Sequence, residues 1–176
     1  GVFHESLNLA AVWDVPLIAV VENNQYTQYS PYEVLTAGGD ISERARGYGL
    51  PQVKVDGQDI EAVYEVAQQA IQRARDGDGP SLIDVETYRF HGHHEGEEQI
   101  LGVNVYRSLD EIAKEQEERD PVQLARRRAS DAGVTDGTLT AIEAEAAGEI
   151  ERAVEFAESS PAPDLDAALA DVFAGS

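Results

Sequence analysis

Asn24 and Tyr26 are the residues whose types and spacing first suggest chemistry. The run Val20-Val21-Glu22-Asn23-Asn24-Gln25-Tyr26 ends an apolar segment, Val15 to Val21, on polar groups. Such a stop suits the carboxyl end of a buried parallel strand, where open α/β sheets bind ligands. The Asn24 side chain offers an amide oxygen, and the backbone carbonyl of Tyr26 can turn to the same point. Mg²⁺ takes hard oxygen ligands and usually shares its shell with phosphates. On local grounds the commoner reading is a plain turn, because Asn hydrogen-bonds its own backbone there.

A second cluster is His91-Gly92-His93-His94-Glu95-Gly96-Glu97-Glu98. Imidazoles beside carboxylates invite a transition-metal site. The spacing matches no metallohydrolase pattern such as His-Glu-x-x-His on a helix. A solvated loop is the plain alternative, and an acid–base histidine is a further one. Arg89, just upstream, reads on its own as a salt bridge at a strand end.

These groups need a scaffold. Residues 4–13 have apolar positions Leu7, Ala10, Ala11 and Val12, which suit a helix packed on a sheet. Pro16 separates it from a strand at 17–21. Residues 27–39 read as a loop, and Asp40 can cap a short helix at 41–48. Gln52–Val55 reads as a short strand. From Asp59 to about Arg75 runs an amphipathic helix with the apolar face Ile60, Val63, Tyr64, Ala67, Ala70, Ile71 and Ala74. Ser81–Tyr88 is another strand, and Arg89–Val105 is a long irregular segment of the kind that is often functional. Helices are expected at 108–117, 121–132, 138–158 and 164–173. Alternating strands and helices followed by helices alone imply an α/β domain, 1–106, with a helical tail, 107–176, packing on it.

The chain carries 34 acidic and 13 basic side chains, a formal charge of -21, which disfavours nucleic acid and anionic membranes as partners. With 42% hydrophobic residues in periodic arrangement it folds rather than stays disordered. The acid is spread along the helices, as on a solvated halophilic surface. There is no cysteine, hence no disulfide framework or thiol nucleophile. No apolar run approaches about 18 residues and no signal peptide is visible, so the expected location is the cytoplasm. Methionine is absent, at position 1 too, and the expectation is a piece of a longer chain.

Several segments in order resemble the alpha subunit of the thiamine-diphosphate-dependent first component of 2-oxoacid dehydrogenase complexes, a family that includes the pyruvate, branched-chain and acetoin dehydrogenases. They are Gly1–Trp13, Glu22-Asn23-Asn24-Gln25-Tyr26, Arg44–Gly49, Val55-Asp56-Gly57-Gln58-Asp59, Gly79-Pro80-Ser81-Leu82-Ile83, Thr87–His93, Tyr106-Arg107 and Asp120-Pro121. The resemblance covers nearly the whole chain and implies a three-layer α/β/α thiamine-diphosphate-binding fold, here its carboxyl-terminal part.

It also implies roles. The Asn24 side chain and the Tyr26 carbonyl would be Mg²⁺ ligands. The family's acidic third ligand sits in a Gly-Asp-Gly motif just before the position that Gly1 fits. Glu22 would lie beside the cofactor diphosphate, or simply end its strand. His93 would contact the diphosphate and handle the acyl group, and Arg89 would anchor its loop. Where the mitochondrial enzymes carry a phosphorylated serine, this chain has His94, so no phosphorylation switch is expected there. Thr27-Gln28-Tyr29-Ser30 departs from the family pattern beside the thiazolium region, which bears on substrate choice. The implied partners are a beta subunit, in an α2β2 heterotetramer, and a lipoyl-bearing acyltransferase. Two readings compete: a truncated, non-catalytic paralogue acting as an interaction module, and a zinc hydrolase built on the histidine loop.

Overall fold

A computed structural model describes residues 1–94, 96 and 106–164. Expectations for Glu95, Glu97, Glu98 and Gln99–Val105, and for the last helix beyond residue 164, fall outside them. Compactness divides the chain into Gly1–Arg128 and Ala129–Ser176.

In the first unit, helix α1 (Val2–Trp13) ends at Asp14 with φ 55, a left-handed stop that turns the chain into Pro16 and strand β1 (Ile18–Asn23). A short hairpin follows, β2 (Tyr26–Thr27) and β3 (Ser30–Pro31), then the single turns α2 (Tyr32–Leu35) and α3 (Glu43–Arg46). Strand β4 (Gln52–Asp56), helix α4 (Ile60–Asp76) and strand β5 (Ser81–Glu86) complete the α/β part. The loop expected at 27–39 therefore contains a hairpin. Strands of two residues are too short to show alternation in a sequence. The helix expected at 41–48 shrinks to one turn. Asp40 does accept from Ser42 N and Oγ, at 3.1 and 2.9 Å, but the helix begins beyond it.

The sheet is parallel with order β1-β5-β4. Ala19, Leu82 and Gln52 share one register row; Val21, Asp84 and Lys54 share the next row on that face. Two apolar clusters cover the two faces. Leu82 packs with Leu7, Ala45 and Leu50 on one, and Ile83 and Val85 with Val55 and Ala70 on the other. The central strand is buried from Ser81 to Val85, which is why a hydrophobic run with one carboxylate forms it.

The α4 boundaries follow local rules. Asp59 accepts from Glu61 N and Ala62 N at 3.1 and 3.2 Å, and Gly77 closes the helix at φ 78. Its buried face shares Val63 and Ala70 with the expected one and departs from it at the bulkier members. Ala62, Val63, Val66 and Ala70 meet the sheet, whereas Ile60, Tyr64 and Ile71 are exposed. Trp13, at the end of α1, is 67% exposed in this chain.

Helix α5 (Leu109–Arg119) is capped by Ser108 and buries Ile112. It is fastened to the α4 entry by Gln58 Nε2 donating to the Arg119 carbonyl at 2.7 Å and by Arg119 to Asp56 at 2.8 Å. Helix α6 (Pro121–Asp131) adds Arg128, whose guanidinium grips both oxygens of Asp59. In the second unit, α7 (Asp136–Ser159) starts at Thr135, which accepts from Thr138 N at 3.2 Å, and exposes Ile142, Ile150, Val154 and Phe156.

Candidate functional site

The carboxyl end of β1 becomes two consecutive side-chain-closed turns. Asn23 Oδ1 accepts from Gln25 N at 3.1 Å, and Asn24 Oδ1 accepts from Tyr26 N at 3.0 Å. Gln25 sits at φ 67 to allow this, and Asn23 O takes Thr87 N at 2.8 Å, tying the turn to the end of β5. Tyr26 lies opposite Pro31, which has no N–H, next to the Tyr32 N to Gln25 O bond at 3.0 Å. Tyr26 is thus at a non-hydrogen-bonded position, where N–H and C=O both point away from the partner strand. Its N–H goes to Asn24 Oδ1, so its carbonyl faces the same side as that amide oxygen. An amide oxygen with one hydrogen bond keeps a second lone pair. The pair of oxygens fits part of a hard-cation shell.

Beside this turn, two arginines and three tyrosines join the hairpin to the histidine loop. Arg89 donates to the Gln28 carbonyl, to the Tyr106 hydroxyl at 2.7 Å and to His93 Nδ1 at 3.1 Å. Arg107, 5% exposed, donates to the Arg89 carbonyl, to the His91 carbonyl at 3.0 Å and to the Tyr106 hydroxyl at 3.2 Å. Both guanidiniums lie over the Tyr26 ring, at 6.0 and 5.6 Å, and over Tyr106 at 5.4 and 4.8 Å. Tyr29 meets His93 edge-on at 6.4 Å and Tyr106 at 5.5 Å.

The contacts fix the histidine tautomer. Arginine only donates, so His93 Nδ1 accepts and its Nε2 carries the hydrogen. His93 is therefore set as a hydrogen-bond donor through Nε2.

The structure thus brings Tyr26, Arg89 and His93 together, with Asn24 next to Tyr26. Glu22 stands apart. It is exposed and paired with Val85, and strand alternation puts it on the sheet face opposite Asn23. Among the described residues, Arg89 anchors the loop through a carbonyl, a phenol and an imidazole. Among the described residues, no group of three or more His, Cys, Asp or Glu could hold a metal ion. Sequence reasoning gave Arg107 no role; its signal was a tyrosine–arginine pair closing a polar loop.

Residues 1–166 match the family model of the dehydrogenase E1 component. The chain is 44% identical over 176 residues to the alpha subunit of an acetoin:2,6-dichlorophenolindophenol oxidoreductase from Bacillus subtilis, covering 98% of this chain and 50% of that protein. It is 42% identical to the same subunit from Cupriavidus necator, covering 98% and 51%. It is 35% identical to the pyruvate dehydrogenase E1 component subunit alpha of Rhizobium meliloti, covering 98% and 48%. The chain spans about half the length of these relatives.

Proposed function

The chain belongs to the dehydrogenase E1 component family, and we propose that it forms part of the alpha subunit of a thiamine-diphosphate-dependent 2-oxoacid or acetoin dehydrogenase. In this reading the complete enzyme decarboxylates or cleaves its substrate and passes the acyl group to a lipoyl carrier. The single observation that most supports it is the Arg89 bridge. One side chain holds the Gln28 carbonyl beside the Asn24–Tyr26 turn, the Tyr106 hydroxyl and His93 Nδ1. Relatives named as acetoin and pyruvate dehydrogenase alpha subunits point the same way.

The Asn24 amide oxygen and the Tyr26 carbonyl would hold part of the Mg²⁺ shell, and their fit is the shared orientation set by the Tyr26 N to Asn24 Oδ1 bond. Thiamine diphosphate, when bound, supplies the carbanion chemistry that the protein's own side chains lack. His93 offers Nε2–H as a donor to a carboxylate or developing oxyanion. Arg89 keeps that imidazole in one orientation, Arg107 holds the loop through the Arg89 and His91 carbonyls, and both add positive charge for anionic groups. Glu22 belongs to the set only if cofactor or partner reaches its face of the sheet. A beta subunit and a lipoyl-bearing acyltransferase are the proposed partners, and the cytoplasm the proposed location. Among the described residues, no helix is long and apolar enough to cross a membrane.

The test is turnover of the chain assembled with its beta partner on acetoin and a series of 2-oxoacids. His93→Ala should lower kcat by about 10²-fold or more while cofactor still binds. Turnover unaffected by His93→Ala would overturn the assignment. No turnover of any substrate, with the assembly intact, would favour the non-catalytic paralogue.

A further inference from the structure

Asp84 occupies the middle of the central strand, is 0% exposed, and neither of its carboxyl oxygens meets a hydrogen-bond donor. A buried ionised carboxylate without donors is unstable in such a place. Its surroundings are specific. Across the register lie Val21 on β1 and Lys54 on β4. Asp40, from the segment before α3, reaches the neighbouring Lys54, and Asn23 lies two residues beyond Val21 on β1, on the sheet face that Asp84 shares. Lys54 is already engaged, 3.6 Å from Asp40 and 3.3 Å from Glu86 on the same strand as Asp84. Tyr32 also lies near Lys54. Asn23 has an unmet need of its own: its Nδ2 is buried with no acceptor, while its Oδ1 holds Gln25 N.

We propose that Asp84 is a positioning residue for the Asn23–Tyr26 turn: as the neutral acid it donates its O–H to the Asp40 carboxylate and accepts the Asn23 Nδ2–H on its other oxygen. One proton thereby satisfies groups on three segments. It ties the 36–42 segment to β5 and holds the Asn23 side chain that closes the turn. Two acceptors become a donor and an acceptor, which suits a buried Asp84 beside the half-buried Asp40. The directions agree: burial and Asp40 raise Asp84, whereas Asp40, despite its own burial, is lowered by its bonds from Ser42. The inference needs no cofactor and stands apart from the proposed reaction.

The experiment uses the full chain and two variants. Infrared spectra at about pH 6, some two units above the ordinary carboxylate range, should show a carboxylic-acid carbonyl band that Asp84→Asn removes. Hydrogen exchange over the peptide 22–27 should be about tenfold faster in Asp84→Leu, which has no polar atom for Asn23, and near wild type in Asp84→Asn, which keeps an amide donor for Asp40 and a carbonyl for Asn23. As pH rises from about 4, the wild-type melting temperature should fall relative to Asp84→Asn, because a raised folded value favours the fold only while the group stays protonated. Absence of the acid band in the wild type overturns the shared proton. Equal exchange in wild type and Asp84→Leu overturns the positioning role.

Discussion

Removing the Arg107 side chain should loosen the histidine loop by an amount that the contacts set. Its guanidinium holds the carbonyls of Arg89 and His91 and the Tyr106 hydroxyl, in a site only 5% exposed. Hydrogen bonds to a charged group contribute roughly 1.5–3 kcal/mol each, so the two carbonyls put about 3–6 kcal/mol at stake. Stacking over Tyr88 and Tyr106, at 5.0 and 4.8 Å, adds roughly 0.5–2 kcal/mol. Residues 88–90 are only half-buried, so water replaces part of this. Arg107→Ala is therefore expected to cost about 3 kcal/mol in urea unfolding, with an unchanged m-value. Arg107→Lys should cost about half as much, because a point ammonium cannot span two carbonyls as the planar fork does. A loss below about 0.5 kcal/mol for Arg107→Ala, or a lysine variant indistinguishable from wild type, would refute the reasoning.

Three further outcomes follow from other parts of the fold. Burial, then the hydrogen bond to Glu111, push the Tyr88 phenol up to about 12. Its stabilising contribution is whole below the unfolded value of about 10 and disappears as pH rises through the folded one. Ultraviolet titration should show a late phenol that Tyr88→Phe removes, and coincident titrations above about pH 11 would count against it. Gly57 leaves no room for a side chain, since an added Cβ would stand 2.6 Å from Thr87 Cγ2, 2.7 Å from Val85 Cγ1 and 2.9 Å from Glu86 O. Gly57→Ala should cost about 1–3 kcal/mol by overpacking, read as a lower melting temperature; an unchanged melt would show that the α4 entry yields easily. The charge of -21 predicts a melting temperature that climbs from low salt to about 1 M, where the screening length shrinks to roughly 3 Å. A flat salt profile would contradict self-repulsion as the main surface term.

The sequence was most readable where one local rule decides the outcome. Asp59 starts α4 because a carboxylate at a helix start accepts from the first free backbone N–H groups by itself. The turn closed by Asn24 was visible for the same reason, although β1 runs two residues past the expected stop at Val21, to Asn23. The buried face of α4 was legible only in part: Val63 and Ala70 point inward as expected, whereas Ile60, Tyr64 and Ile71 are exposed. Asp84 was hidden likewise: alternation would put an acid in Leu-Ile-Asp-Val-Glu on a wet face, but the central strand has none. The bridge from Arg89 to Gln28, Tyr106 and His93 joins residues up to 61 positions apart, a link that no local pattern carries.

The measurement that bears most directly on the account is a calorimetric titration of thiamine diphosphate, with and without Mg²⁺, into the chain assembled with its beta partner. The account expects Mg²⁺-dependent binding that Asn24→Ala weakens by at least about tenfold, since that variant removes one of the two aligned oxygens. Binding that ignores Mg²⁺, or an Asn24→Ala variant that binds as tightly as the wild type, would contradict it.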